Sequence, residues 1–151
     1  MIDTTLCYIE MDGCFLLLNR NKKENDLNEG KWIGVGGKCE PGETPEQCVR
    51  RETLEETGLT LGRVHFYGIV HFRSDTWEDE EMYLYGSDDF TGELAEDCPE
   101  GTLAWVPKEK VTELPIWEGD RLFLSQMLEG RQAIEMTLSY KGDELTEWSE
   151  P

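Results

Sequence analysis

Basic residues are scarce in this chain. It has 14 Lys and Arg residues against 33 Asp and Glu residues, which gives a formal net charge of −19 at pH 7. Nucleic acids and anionic membranes both attract proteins through Lys and Arg. The charge balance therefore argues against a nucleic-acid polymer or a membrane surface as a partner. A small molecule that carries phosphates would still bind beside a metal ion or the few basic side chains.

Long apolar runs and paired cysteines are also missing. No stretch approaches the ~20 apolar residues of a membrane-spanning helix, and the first residues contain no basic region followed by an apolar one. The five cysteines are odd in number and lack CxxC spacing, and there are only two histidines. A disulfide framework, a structural zinc site and a His-rich metal site are therefore disfavoured. We expect a leaderless cytoplasmic protein.

The elements that are present fit one domain covering residues 1–151, as a monomer or a homodimer. Hairpins are predicted around Asp12-Gly13 and around residues 141–143, and a third strand pair at 63–74 and 81–87. Shorter strands are predicted at 31–37 and 102–107, and a polar loop at 21–30. Helices are predicted at Pro45–Thr57 and at 114–130. This mixture predicts an α+β fold in which helices cover a sheet.

The first predicted helix has clear signals at both ends. Thr44 suits the N-cap, Gln47 completes a capping box, and Gly58 suits the left-handed conformation that ends a helix. The apolar contacts inside the helix are expected from Cys48, Val49 and Leu54. The direction of the helix's polar face should therefore be fixed.

Three glutamates share that polar face. Glu52, Glu55 and Glu56 are three and four residues apart, so their carboxylates should converge. Two unit charges ~5 Å apart at an effective dielectric constant of ~20 repel by about 3 kcal/mol. Mg²⁺ or Mn²⁺ would remove this repulsion, because hard divalent cations prefer clustered oxygen ligands. The alternative is an acidic face that is simply solvated.

The residues around the glutamates favour the metal site. Glu43 can pair with Arg51, and the small residues at 36–37 allow a backbone carbonyl to approach a metal ion closely. Lys38 follows and can meet a phosphate. The run from Gly37 to Leu59 then resembles the Nudix box, and its matching residues are Gly37, Glu43, Arg51, Glu52, Glu55, Glu56, Gly58 and Leu59. Thr53 departs from this pattern, because the family usually has a bulky aliphatic residue there, and a small change in packing is expected.

The resemblance implies a Nudix hydrolase, which cleaves a nucleoside diphosphate linked to another group with Mg²⁺ or Mn²⁺. It implies an α/β/α sandwich around a mixed sheet, with the box forming a loop–helix–loop. By position, Glu52, Glu55 and Glu56 are implied metal ligands, together with the carbonyl of Gly37 or its neighbour Gly36. Glu43 and Arg51 are the implied structural pair. The general base lies in the box or on a later loop, where Glu100 is a candidate catalytic residue and metal ligand and Glu96 a weaker one.

Residues beyond the box resemble the MutT-like branch that hydrolyses oxidised purine nucleoside triphosphates such as 8-oxo-dGTP to NMP and pyrophosphate. The similarity rests on "KWIGVGGK", Trp105 and "IWEGD". Trp117 is implied to stack on the base and Asp120 to hydrogen-bond its edge. Alternatively, Trp117 is a core residue and Asp120 a first-turn acid favoured by the helix dipole. Other candidates for the base pocket are Ile33, Phe72 and Met82, of which the last two could equally be core residues.

A cation for the distal phosphates is expected just before the polar loop, where Arg20 is favoured over Lys22 and Lys23. These three could also be solvated loop charges. Other substrates carry less weight: the proline typical of ADP-ribose hydrolases and the tyrosine typical of diadenosine polyphosphate hydrolases are missing at their usual distance past the box. A nucleotide-binding module without catalysis is a further alternative, although such modules usually lose box glutamates.

Overall fold

The structure is a computed structural model that describes residues 1–21, 30–96 and 98–151. It contains ten strands, two α-helices and one 3₁₀-helix in these ranges. The strands are β1 (Ile2–Met11), β2 (Cys14–Asn19), β3 (Trp32–Ile33), β4 (Thr60–Leu61), β5 (His65–Ser74), β6 (Glu80–Ser87), β7 (Phe90–Thr91), β8 (Thr102–Pro107), β9 (Ile134–Lys141) and β10 (Glu144–Ser149). The helices are α1 (Pro45–Thr57), α2 (Glu118–Leu128) and the 3₁₀-helix Lys108–Glu113.

The central sheet is mixed. Its strands run in the order β10-β9-β5-β6-β1-β2-β3, and β8 also pairs with β2. β1 is parallel to β6, and β5 is parallel to β9. The other pairs in this sheet are antiparallel, and β4 and β7 form a small separate sheet.

Helices cover the two faces of the central sheet, because each face carries its own apolar cluster. One cluster joins Phe123 and Leu124 of α2 to Leu84 and Leu138 of the sheet. The other joins Val49 of α1 to residues on the opposite face, including Cys7, Ile9 and Leu16. The predicted α/β/α sandwich with a mixed sheet is therefore confirmed.

β1 and β2 separate at one end, and this separation positions the loop before α1. The two strands pair only from Ile9↔Leu16 to the turn. Below that point, Cys7 of β1 exchanges backbone hydrogen bonds with Val35, and Thr5 N donates to Gly37 O at 2.8 Å. Gly36 has φ +149°, and a Cβ atom there would lie 2.1 Å from the carbonyl oxygen of Thr5. Only glycine lets the chain pass so close to β1.

Most of the predicted elements are present. The hairpin at Asp12-Gly13 forms, and both residues have positive φ, as the favoured two-residue turn requires. The β5–β6 pair and the β9–β10 hairpin are also found. Helix α1 has the predicted bounds, the Thr44–Gln47 capping box and a left-handed Gly58.

Three expectations need correction, and three short elements were missed. The second helix begins at Glu118 rather than at 114, because Leu114 precedes a proline and is extended. The strand predicted at 31–37 is regular only at Trp32–Ile33, since the chain then leaves β2 for β1. Leu54 is 52% exposed and does not support α1 from beneath. The short strands β4 and β7 and the 3₁₀-helix were not predicted.

Lys22, Lys23 and most of the predicted polar loop lie outside the described residues. In the described part of the chain, neither α-helix is long and apolar enough to span a membrane.

The difference in burial between Leu84 and Leu54 gives a test of the core. Leu84 is fully buried in β6, so Leu84→Ala should lower the free energy of unfolding by about 2–5 kcal/mol. Leu54→Ala on the exposed face of α1 should cost less than about 1 kcal/mol. Urea denaturation followed by circular dichroism measures both, and equal losses would contradict this assignment of the core.

Candidate active site

Helix α1 is fixed at both ends, so the direction of its acidic face is set by the fold. Thr44 Oγ1 accepts a hydrogen bond from Gln47 N at 3.1 Å, and Gln47 Oε1 accepts one from Thr44 N at 2.9 Å. At the other end, Gly58 N donates to Leu54 O at 3.0 Å. Thr53 is fully buried beneath the helix, and its hydroxyl has no hydrogen-bond partner among the described residues.

Arg51 joins the loop before α1 to the glutamates of the helix. Its Nε and Nη2 donate to the two carboxylate oxygens of Glu43 at 2.7 and 2.9 Å, and Nη2 also donates to Lys38 O at 3.2 Å. Its Nη1 donates to Glu52 Oε1 at 2.9 Å and to Glu55 Oε2 at 3.2 Å. The hydrogen bonds from Arg51 hold the pKa of Glu43 at about 2, well below its usual range.

Glu56 lies on the inner side of the helix. It is 5% exposed, and its Oε1 accepts a hydrogen bond from Gly36 N at 2.8 Å. Arg20 Nη1 lies 3.8 Å from its Oε2 atom, and Arg20 Nη2 lies 3.1 Å from Glu100 Oε2. Burial raises the pKa of Glu56 to about 8, and the neighbouring charges of Glu52 and Glu100 act in the same direction.

The predicted convergence of three carboxylates on one point is not seen. Within residues 1–21, 30–96 and 98–151, no three Asp, Glu, His or Cys side chains form a cluster that could hold a metal ion. The reason is that two arginines divide the glutamates between them. Arg51 holds Glu52 and Glu55, whereas Glu56 turns towards Gly36 and Arg20.

The donor atoms nevertheless fit a hard divalent cation. Carboxylates and a backbone carbonyl are the oxygen ligands that Mg²⁺ and Mn²⁺ prefer. Glu100 Oε2 is buried and, despite its short distance to Arg20, makes no hydrogen bond of normal geometry. Gly37 lies against Glu52, because a Cβ atom at Gly37 would be 2.6 Å from Glu52 Cδ. The carboxylates that would hold the ion are those of Glu52, Glu55, Glu56 and Glu100. The carbonyl of Gly37, the other expected ligand, already accepts a hydrogen bond from Thr5 N at 2.8 Å.

A cavity of about 200 Å³ leads from this loop across one face of the sheet. The loop contributes Gly36, Gly37 and Lys38, and Arg20 follows strand β2. The predicted base-pocket residues also line this cavity, and they are Ile33, Phe72, Met82, Trp117 and Asp120. The structure therefore brings the candidates for base and phosphate binding into one continuous space.

Trp117 belongs to the core and to the cavity wall. It is 5% exposed, and the rings of Phe72 and Tyr140 meet it edge-on at centroid distances of 5.9 and 4.8 Å. Lys31 Nζ lies 4.6 Å from its ring centroid and 3.0 Å from Asp143 Oδ2. The core and pocket interpretations of Trp117 are therefore compatible, because packing on several sides fixes the orientation of the indole that faces the cavity.

Asp120 lies in the first turn of α2 and is 7% exposed. Burial raises its pKa to about 8, and the charge of Glu80 acts in the same direction, while Arg121 and Lys31 oppose the shift. Near neutral pH the buried side chain is therefore mainly a neutral carboxylic acid. In that form it can donate one hydrogen bond and accept others.

Several cavity residues escaped the sequence analysis, notably Thr4, Glu80, Leu138 and Tyr140. Strand alternation contained a signal for Glu80, because it lies two residues before Met82 and so on the same face of β6. The signal for Tyr140 was weaker, since nothing in the sequence shows that β9 lies beside β5.

A family model of the NUDIX domain matches residues 3–127. The chain belongs to the Nudix family. Nudix hydrolases act on phosphoric anhydride bonds of nucleotide-like substrates, so this protein is a hydrolase of that kind.

Relatives of this Nudix hydrolase have different named substrates. The chain is 35% identical over 130 residues to an oxidized purine nucleoside triphosphate hydrolase of Danio rerio, covering 85% of this chain and 80% of the relative. It is 30% identical over 135 residues to the CTP pyrophosphohydrolase of Escherichia coli, covering 88% and 96%. The crystal structure of a MutT protein from Bacillus halodurans superposes with a TM-score of 0.89 at 29% identity and full coverage of both chains. The Nudix hydrolase is therefore MutT-like.

The buried acid in α2 should make stability depend on pH. The pKa of Asp120 is about 8 in the folded protein, whereas the ordinary pKa of an aspartate in an unfolded chain is 3.8. At pH values between these two, the folded state therefore binds a proton that the unfolded state does not. Its contribution should therefore fall as pH rises from about 4 to about 8, by up to ~1.4 kcal/mol per pH unit, and then level off. Asp120→Asn should remove this slope.

Urea denaturation of both proteins at several pH values measures this difference. Asp88→Asn is the control, since Asp88 is exposed. If the stabilities of the wild type and Asp120→Asn change in parallel with pH, Asp120 does not carry the proton.

Proposed function

We propose that this protein is a Mg²⁺- or Mn²⁺-dependent pyrophosphohydrolase that cleaves a nucleoside triphosphate to NMP and pyrophosphate. An oxidised purine nucleotide such as 8-oxo-dGTP is the proposed substrate, and sanitation of the nucleotide pool is the proposed role. The name of the Danio rerio relative, an oxidized purine nucleoside triphosphate hydrolase, supports this substrate, whereas the name of the Escherichia coli relative leaves the base open.

One observation carries the proposal. The same cavity is lined by aromatic and apolar groups around Trp117 and by Arg20, Gly37 and Lys38. The flat face of a purine can stack on the aromatic groups, whereas a polyphosphate chain requires the cations and the backbone groups. A nucleotide placed in this way directs its phosphates towards the box glutamates.

The metal ion, when bound, would neutralise phosphate oxygens and lower the pKa of a coordinated water. The box glutamates and Glu100 are its proposed ligands. Arg20 and Lys38 supply positive charge for the phosphates at one end of the cavity. The proposed proton acceptor for the attacking water is one of the two carboxylates near Arg20, which are those of Glu56 and Glu100. Glu100 is singled out there because its buried Oε2 atom lies 3.1 Å from Arg20 Nη2 without a hydrogen bond of normal geometry, which leaves it incompletely satisfied.

Removal of Glu56 gives a direct test of catalysis. Glu56→Gln keeps the shape of the side chain but removes a carboxyl group that a bound cation would keep ionised despite its burial, so kcat should fall by at least about 100-fold. Pyrophosphate release with Mg²⁺ or Mn²⁺ measures the loss. Glu46→Gln, on the exposed side of α1, should retain activity, and full activity of Glu56→Gln would refute the proposed metal site.

The substrate is tested by comparing kcat/KM for 8-oxo-dGTP, dGTP, dATP, CTP, ADP-ribose and diadenosine polyphosphates. We expect 8-oxo-dGTP to exceed dGTP by at least about 10-fold, because an extra ring N–H can be matched by a polar group in a closed pocket. A higher value for CTP or ADP-ribose would refute the oxidised-purine proposal while leaving the hydrolase intact. A protein that binds these nucleotides but releases no product would be a binding module.

A further inference from the structure

A second carboxyl group lies in the base-binding part of the cavity, and it comes from the sheet. Glu80 begins strand β6, where it is the direct neighbour of Phe72 on β5. Met82, two residues later, is the direct neighbour of Thr4 on β1. Because directly opposed side chains share a face, these four residues form one patch of the cavity wall. All four line the cavity together with Asp120 and Trp117.

Glu80 and Asp120 both line this cavity. Burial raises the pKa of Glu80, and the charge of Glu80 in turn raises the pKa of Asp120. Glu80 comes from the sheet and Asp120 from the first turn of α2, so the two carboxyl groups approach the cavity from different elements. A ligand between them would meet hydrogen-bonding groups on both sides.

Thr4, beside Glu80, also supports a ligand at this place. Thr4 is 8% exposed, and its Oγ1 atom has no hydrogen-bond partner among the described residues. The Thr4 hydroxyl faces Glu80, and its hydrogen bonding lowers the pKa of that carboxyl group against the larger effect of burial, although the geometry of the contact is too poor to satisfy the hydroxyl. A buried hydroxyl without a partner costs free energy unless another group satisfies it. A polar ligand edge beside Glu80 would do so.

We propose that Glu80 is a specificity-determining residue, which pairs with Asp120 to bind two neighbouring N–H donors on the edge of the base. This inference rests on the proposed function and names the class of base. Guanine and 8-oxoguanine carry a ring N–H beside an amino group on their Watson–Crick edge. Adenine and cytosine place an acceptor nitrogen beside the amino group, and hypoxanthine has the ring N–H but no amino group. The pair therefore selects guanine-type bases.

The test measures binding of nucleoside monophosphates to the full chain without metal, so that it does not depend on catalysis. Titrations followed by tryptophan fluorescence give dissociation constants for dGMP and dIMP, which differ only in the amino group. The wild type should bind dGMP at least about 10-fold more tightly, because a buried acceptor is left unpaired by dIMP. Glu80→Met, which has no acceptor of comparable strength, should bring the ratio close to about one.

Two matched variants separate recognition from structure. Glu80→Gln keeps one acceptor oxygen and should retain part of the preference for dGMP. Glu78→Gln removes a nearby exposed charge, which lies 3.5 Å from the N-terminal amine, and should bind both nucleotides as the wild type does. Thermal unfolding of each variant shows that it is folded.

The outcomes distinguish this inference from the proposed function. If Glu80→Met keeps the wild-type ratio, or if the wild type binds dGMP and dIMP equally, the inference is wrong even if triphosphates are hydrolysed. If the ratio changes as expected but no triphosphate is hydrolysed, the recognition of the base stands and the proposed reaction is wrong.

Discussion

The candidate site depends on the guanidinium group of Arg51. It binds both oxygens of Glu43, the carbonyl of Lys38 and the carboxylates of Glu52 and Glu55. Such planar, bidentate pairing fixes direction as well as distance, which a lysine at this position would not do. The loop that lines the cavity and the helix that carries the acids are therefore held as one unit. Any displacement of Glu43 would move the loop and the acidic face relative to each other.

The separation of β1 and β2 connects this unit to the rest of the cavity. Because the chain at Val35–Gly37 enters the gap beside β1, the loop begins at the edge of the sheet face that also carries Phe72, Glu80 and Met82. The parallel pairs β1–β6 and β5–β9 align these side chains in neighbouring rows. The proposed base pocket is thus formed by the sheet, whereas the proposed phosphate-binding part is formed by the loop. Their junction is the close contact between Gly36 and Thr5.

Local signals predicted much of this arrangement, and long-range pairing accounts for what was not predicted. Helix α1 had its capping residues at both ends, so its bounds could be read from the sequence, and the hairpins had their turn residues. The start of α2 was placed too early because the apolar pattern continues through residues that Pro115 keeps extended. Leu54 fitted the helical period of apolar residues, yet its side chain faces solvent. The period alone does not show how wide a face of the helix the sheet covers. Glu80 and Thr4 could not be placed together, because their proximity depends on a parallel pairing between distant strands.

That parallel pairing also bears on how the chain folds. β1 occupies the middle of the sheet, with β2 on one side and β6, which begins almost eighty residues later, on the other. The β1–β2 hairpin can form locally, but the second edge of β1 stays open until a long loop closes. Contacts of such sequence separation slow folding and leave an apolar strand edge exposed in intermediates. During synthesis on the ribosome, β1 therefore keeps one backbone edge unpaired until β6 has been made.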